Sequence, residues 1–145
     1  MASADPHRTL VVANRTAATP LLIEEVARRA RERPTTFALL IPDAASRKHA
    51  DWTLERAVAL LERAAGGPVN GLVGSGDPFE AVKRVLDDGQ YDDVVISTLE
   101  KRTSEWLRRD LPRRVERLGV PVTVISQPAE RGPLPGVVAA GGGGP

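Results

Sequence analysis

Five short apolar runs, each separated from the next by a stretch with helical spacing, constrain this chain more than any other feature. The runs are Thr9–Ala13, Thr36–Ile41, Val69–Val73, Val94–Ile96 and Val120–Ile125. A continuous run of Val, Leu and Ile, without polar alternation, is the pattern of a strand buried on both faces. Strands that alternate with helices form a parallel sheet with right-handed crossovers. The expected architecture is therefore a five-stranded, doubly wound parallel α/β sheet with helices on both faces.

The helices carry their own start and stop signals. Thr19-Pro20 opens the first, with threonine as N-cap and proline at the first helical position. Leu22, Val26 and Ala30 form its apolar stripe, and Pro34 stops it. After a polar loop from Asp43 to His49, Asp51 is the expected cap of the second helix. Leu54, Val58, Leu61 and Ala65 form one face of that helix, and Gly66-Gly67-Pro68 ends it. Val69–Val73 is shorter and less apolar than the other runs, as at a sheet edge. Asp77-Pro78-Phe79-Glu80 is the sharpest local signal, with a cap, proline at the first position and an acidic third residue. The helix it opens buries Val82, Val85 and Leu86 and ends at Gly89. The fourth crossover is interrupted by Pro112, so we expect a short helical turn at Ser104–Arg109, then a helix capped by Asp110 and closed by Gly119.

Composition excludes several functions. The chain has 145 residues, 41% hydrophobic and 27% charged, with net charge +1. That length fits one domain, and that charge does not mark a nucleic-acid binder. With no cysteine and only His7 and His49, thiolate metal sites, disulfides and a Cys–His pair are ruled out, and a histidine metal cage is not expected. No catalytic triad can be assembled. Met1–His7 lacks an apolar signal region, and no run approaches the ~20 residues of a membrane span, so the expected location is the cytoplasm. Residues 1–7 read as a disordered lead, 8–126 as the α/β domain, and 127–145, rich in Pro and Gly, as a flexible tail.

In open α/β sheets the ligand crevice lies at the carboxyl ends of the strands. Here that end includes Asn14-Arg15-Thr16 after the first strand and the polar stretch Ser97–Ser104 after the fourth. A phosphate-gripping loop needs glycine for close backbone approach, yet no glycine occurs between Gly89 and Gly119. Gly74-Ser75-Gly76 lacks the remainder of a P-loop and reads as a turn before a helix.

The order of these pieces resembles the universal stress protein family of adenine-nucleotide-binding, Rossmann-like domains. The resemblance covers residues 8–126. It rests on Val11-Val12-Ala13-Asn14, on Gly76-Asp77-Pro78-Phe79-Glu80-Ala81-Val82, on Tyr91-Asp92-Asp93-Val94-Val95-Ile96-Ser97, and on Val120-Pro121-Val122-Thr123-Val124-Ile125. It implies strand order 3-2-1-4-5, a crevice between the first and fourth strands, and a homodimer. Nucleotide-binding members carry an aspartate after the first strand and a G-x2-G-x9-G-[ST] loop after the fourth. In this chain the aspartate position holds Asn14. The loop positions fall, within about one residue, on Ser97, Glu100, Asp110 and Leu111. Side chains replace all three glycines, and Glu100 and Asp110 bring negative charge toward a polyphosphate.

The residues assigned to the crevice are Asn14, Arg15, Thr16, Ile41, Ser97, Thr98, Arg102, Ser104 and Arg109. Between Lys101 and Arg117 there are seven basic and three acidic residues, which suit a small anionic ligand. A solvated outer helix face explains the same cluster. Arg47, Lys48 and His49 could close over a ligand or simply line an exposed loop. Trp52 and Trp106 read equally as packing residues or as parts of a contact surface.

Two functions follow. The first is a non-enzymatic, universal-stress-like regulatory or protective module, dimeric through Val122 to Ser126, with no resident cofactor and no ATP binding of the usual type. The second is a binder of an adenine nucleotide or another phosphorylated small molecule through a modified crevice. Slow nucleotide hydrolysis is a third reading, although no acidic residue is placed to hold Mg²⁺.

Overall fold

A computed structural model describes residues 6–13, 19–42, 47–74, 77–99 and 110–127. Its elements run β1 (His7–Ala13), α1 (Pro20–Glu32), β2 (Thr35–Ile41), α2 (Arg47–Ala65), β3 (Val69–Val73), α3 (Pro78–Asp88), β4 (Asp93–Leu99), α4 (Leu111–Glu116) and β5 (Val122–Gln127). The five strands form one sheet in the order β3-β2-β1-β4-β5, and every neighbouring pair is parallel. The expected doubly wound α/β sheet is the observed one.

Alternation along the central strands divides the core in two, because successive side chains point to opposite faces. Leu10 and Val12 of β1, Ala38 and Leu40 of β2, and Val94 and Ile96 of β4 face α3 and α4, where Ala81, Val82, Leu111 and Val115 cover them. Val11 and Ala13, Phe37 and Leu39, and Val95 face the other way, beneath Leu22 and Val26 of α1 and Ala57 and Leu61 of α2. Each fully buried aliphatic side chain contributes about 1.5–3 kcal/mol, and both layers need their helices to exclude water.

Most helix signals act as expected. Thr19 and Pro20 start α1, and Arg29 and Arg31 lie in its last turn, where basic residues offset the dipole. Asp77 accepts a hydrogen bond from the Glu80 backbone N–H at 3.1 Å, and α3 ends at Gly89. Gly66 (φ +74°) and Gly119 (φ +101°) take left-handed conformations after α2 and α4.

Four local expectations are corrected. β1 begins at His7, which is part of the sheet and not of a disordered lead, because its backbone N–H bonds the Pro34 carbonyl at 3.0 Å. The helix α2 begins at Arg47, so Lys48, His49 and Asp51 lie within it and Asp51 is not its cap; no Gly or Pro stands there to delay the start. The buried stripe of α2 centres on Ala57 and Leu61, and Leu54, Val58 and Ala65 flank it half-buried. Asp110 precedes α4 but makes no side-chain capping bond, since its backbone is itself left-handed at φ 60°. The expected helical turn at Ser104–Arg109 and the tail from 128 lie outside the described residues. Among the described residues, no helix is long and apolar enough to cross a membrane.

Candidate functional site

At the carboxyl ends of the strands β2 ends level with β1, whereas β4 continues past it. Ala13, the last residue of β1, pairs with Ser97 of β4. β4 and β5 then run on together through Thr98↔Ser126 and Leu99↔Gln127. Two residues of β4 therefore overhang the end of β1. Ser97 and Thr98, expected as loop hydroxyls, are strand residues, at 0% and 6% exposure. Pairing with β5 extends the strand through them despite their polarity, because a ladder position satisfies the backbone N–H and C=O groups.

Ile41 ends β2 at the same pole and is buried, and its carbonyl accepts the Gly74 N–H at 2.9 Å. Gly74 is needed there for close approach, because a Cβ on it would lie 2.8 Å from the Ala81 Cβ. Of the assigned crevice residues, the structure thus brings Ser97, Thr98 and Ile41 to one end of the sheet. Asn14, Arg15, Thr16, Arg102, Ser104 and Arg109 lie outside the described residues, as does Trp106. Asp110 returns the chain to this pole. It is the one non-glycine residue with positive φ among those described, and its carboxylate is half exposed, 4.0 Å from the Arg113 Nε. Arg114 of α4 lies over the Phe79 ring of α3 at 4.2 Å, which ties the two helices of that layer together. Among the described residues no group of three or more His, Asp or Glu is placed to hold a metal ion.

The opposite pole holds a polar cluster that the sequence reading missed. Asp93, the first residue of β4, receives the Thr9 hydroxyl on Oδ1 at 2.7 Å. Its Oδ2 receives His7 Nε2 at 2.9 Å and Arg29 Nη1 at 3.0 Å. Arg29 also donates from Nε to Glu25 at 2.6 Å and from Nη2 to the Thr123 hydroxyl at 3.2 Å, so one side chain of α1 reaches both β4 and β5. Burial pushes the Asp93 carboxyl up, but the hydrogen bonds from His7 and Thr9 and the Arg29 charge outweigh it and hold the carboxyl below its ordinary range. Glu25 behaves alike: burial raises it, and the Arg28 and Arg29 guanidiniums more than reverse the effect.

The His7 tautomer follows from its partners. Arg33 Nη1 lies 3.2 Å from His7 Nδ1. A guanidinium only donates, so Nδ1 accepts and the ring proton sits on Nε2, facing Asp93. A cavity of about 220 Å³ opens beside these residues, between the end of α1 and the start of β2. The signal that could have found this cluster was positional. In order 3-2-1-4-5 the residues that open β1 and β4 are neighbours, and His7 and Asp92-Asp93 stand there.

No protein-family model and no curated protein matches the chain. Solved structures do. A universal stress protein from Archaeoglobus fulgidus superposes with a TM-score of 0.59 at 19% identity, over 83% of this chain and 94% of its own. A universal stress protein solved in complex with cAMP superposes with a TM-score of 0.54 at 15% identity, over 85% and 99%. Strand order, two-layer helix placement and these superpositions together give the chain the fold of the universal stress proteins.

Proposed function

We propose that the chain is a universal-stress-like regulatory or protective module that pairs with a second copy of itself and does not bind ATP in the way the resemblance would suggest. The observation that carries this reading is Asp110. It falls, within about one residue, where the resemblance puts the loop's third glycine, and its backbone is left-handed, at φ 60°. A carboxylate at that place opposes a polyphosphate at short range. The absence of any glycine between Gly89 and Gly119 points the same way. In this reading the module acts by binding and not by catalysis.

Pairing is assigned to β5, a terminal strand whose in-sheet neighbour is β4 alone. Its Val124 is 40% exposed, and an apolar edge strand is a ready template for a two-fold mate. Light scattering at micromolar concentration is expected to give twice the chain mass, and Val124→Lys to return the monomer. A monomeric unmodified chain would remove the pairing claim.

A second reading is favoured by the cAMP complex of one structural neighbour. In it, the crevice takes an adenine nucleotide or another phosphorylated small molecule through Asn14, Arg15, Ser97, Thr98 and the basic segment from Lys101. Thermal shift with ATP, ADP, AMP and cAMP separates the two. A ligand at 100 times its dissociation constant adds ~2.7 kcal/mol of stability. The first reading expects no shift with ATP, whereas a shift with cAMP or AMP alone supports the second.

A further inference from the structure

The cluster at the amino-terminal pole contains one imidazole, that of His7. Histidine is the side chain that ordinarily gains a proton between pH 5 and 8. His7 is surrounded from every side. Just past α1 comes Arg33, and from α1 come Arg29 and, across the cavity, Arg28 and Glu32, with Glu25 behind the arginines. From β4 come Asp92 and Asp93; β2 offers Thr35, β1 offers Thr9, and β5 offers Thr123 through Arg29. The Arg8 guanidinium lies over the Tyr91 ring at 5.1 Å. Arg28 and Arg29 of α1 and Arg33 just past its end thus face four carboxylates, Glu25, Glu32, Asp92 and Asp93.

His7 Nδ1 has two candidate partners. Arg33 Nη1 is 3.2 Å away and donates; Asp92 Oδ2 is 3.7 Å away, already accepts the Arg8 backbone N–H at 2.8 Å, and as a carboxylate oxygen can accept a second donor. The nitrogen can serve only one of them in each protonation state. We propose that His7 is a proton-operated latch: unprotonated, its Nδ1 holds the Arg33 guanidinium at the end of α1, and protonated, the same nitrogen releases Arg33 and binds the Asp92 carboxylate. One proton is taken from solvent onto Nδ1, and Nε2–H stays on Asp93 in both states. Acid thereby loosens the side-chain hold on the α1–β2 turn. The backbone bond from His7 to Pro34 remains, and the seam between β1 and β4 tightens.

The test is ¹⁵N NMR of the histidine rings in the full chain between pH 8 and pH 5, with His49→Gln to assign His7. At pH 8 the ring is expected as the Nε2–H tautomer; the Nδ1–H tautomer there would overturn the proposal without any further variant. Arg33→Ala removes the group that requires a bare Nδ1, so the His7 midpoint is expected to rise by roughly half a pH unit. Asp92→Asn removes the acceptor of the new proton, so the midpoint is expected to fall by about as much. Arg33→Lys keeps a donor and a charge and is expected to leave it near the unmodified value. Shifts of Arg33→Ala and Asp92→Asn in the same direction, or no shift in either, would refute the latch. Amide spectra of each variant confirm that it is folded before its midpoint is read.

Discussion

At the amino-terminal end of the strands, Asp93 gathers hydrogen bonds from β1 and α1, and Arg29 carries the network on to β5. At the carboxyl end, the described side chains are buried strand hydroxyls, an isoleucine and a glycine that admits a close helix. One pole is fastened by charge between distant parts of the chain, and the other by backbone pairing and steric fit. Catalytic and binding groups usually sit on loops at the carboxyl pole of such sheets, held by a rigid scaffold.

The comparison can be broken most directly at Asp93. Asp93→Ala strips Thr9, His7 and Arg29 of a shared acceptor and is expected to lower unfolding stability by about 3 kcal/mol, read by urea denaturation. The same pole sets the acid limit. Asp93 and Glu25 are held below their ordinary values in the fold, so their stabilisation is complete above the unfolded carboxylate range, about pH 4–4.5. It is lost as pH falls through the folded values, and Asp93→Ala is expected to flatten the fall in melting temperature below pH 4. At the other pole, Gly74→Ala places a methyl against Ala81 and is expected to destabilise by about 1–2 kcal/mol with no change in pH dependence. The smallest expected effect is Asp77→Ala, which removes the α3 cap and about 1 kcal/mol. If Gly74→Ala altered the acid response, the division between the poles would be wrong.

The sheet was legible because its strands are almost uninterrupted Val, Leu and Ile, and because the crossovers carry proline and glycine punctuation. Strand ends were less so. Ser97 and Thr98 look like loop residues by composition, and only the pairing of Thr98 with Ser126, 28 positions away, makes them strand. His7 carries no local pattern, and its role depends on Asp93, 86 positions distant. Asp51 is a good cap and makes Arg47 and His49 look like loop, but a cap signal inside a run without breakers does not start a helix. Asp110 is legible in the sequence as a charge where the resemblance expects glycine, whereas its left-handed backbone is visible only in the fold.

β1 also acts as a partition. Val11 belongs wholly to the layer under α1 and α2, and Val12, the next residue, wholly to the layer under α3 and α4. Mutational coupling decays between sites that share no neighbours. Truncations at Val11 and Val26 should therefore be non-additive, while those at Val12 and Val26 should sum. The molecule carries two interiors on a single wall, and each is free to be repacked by evolution without consulting the other.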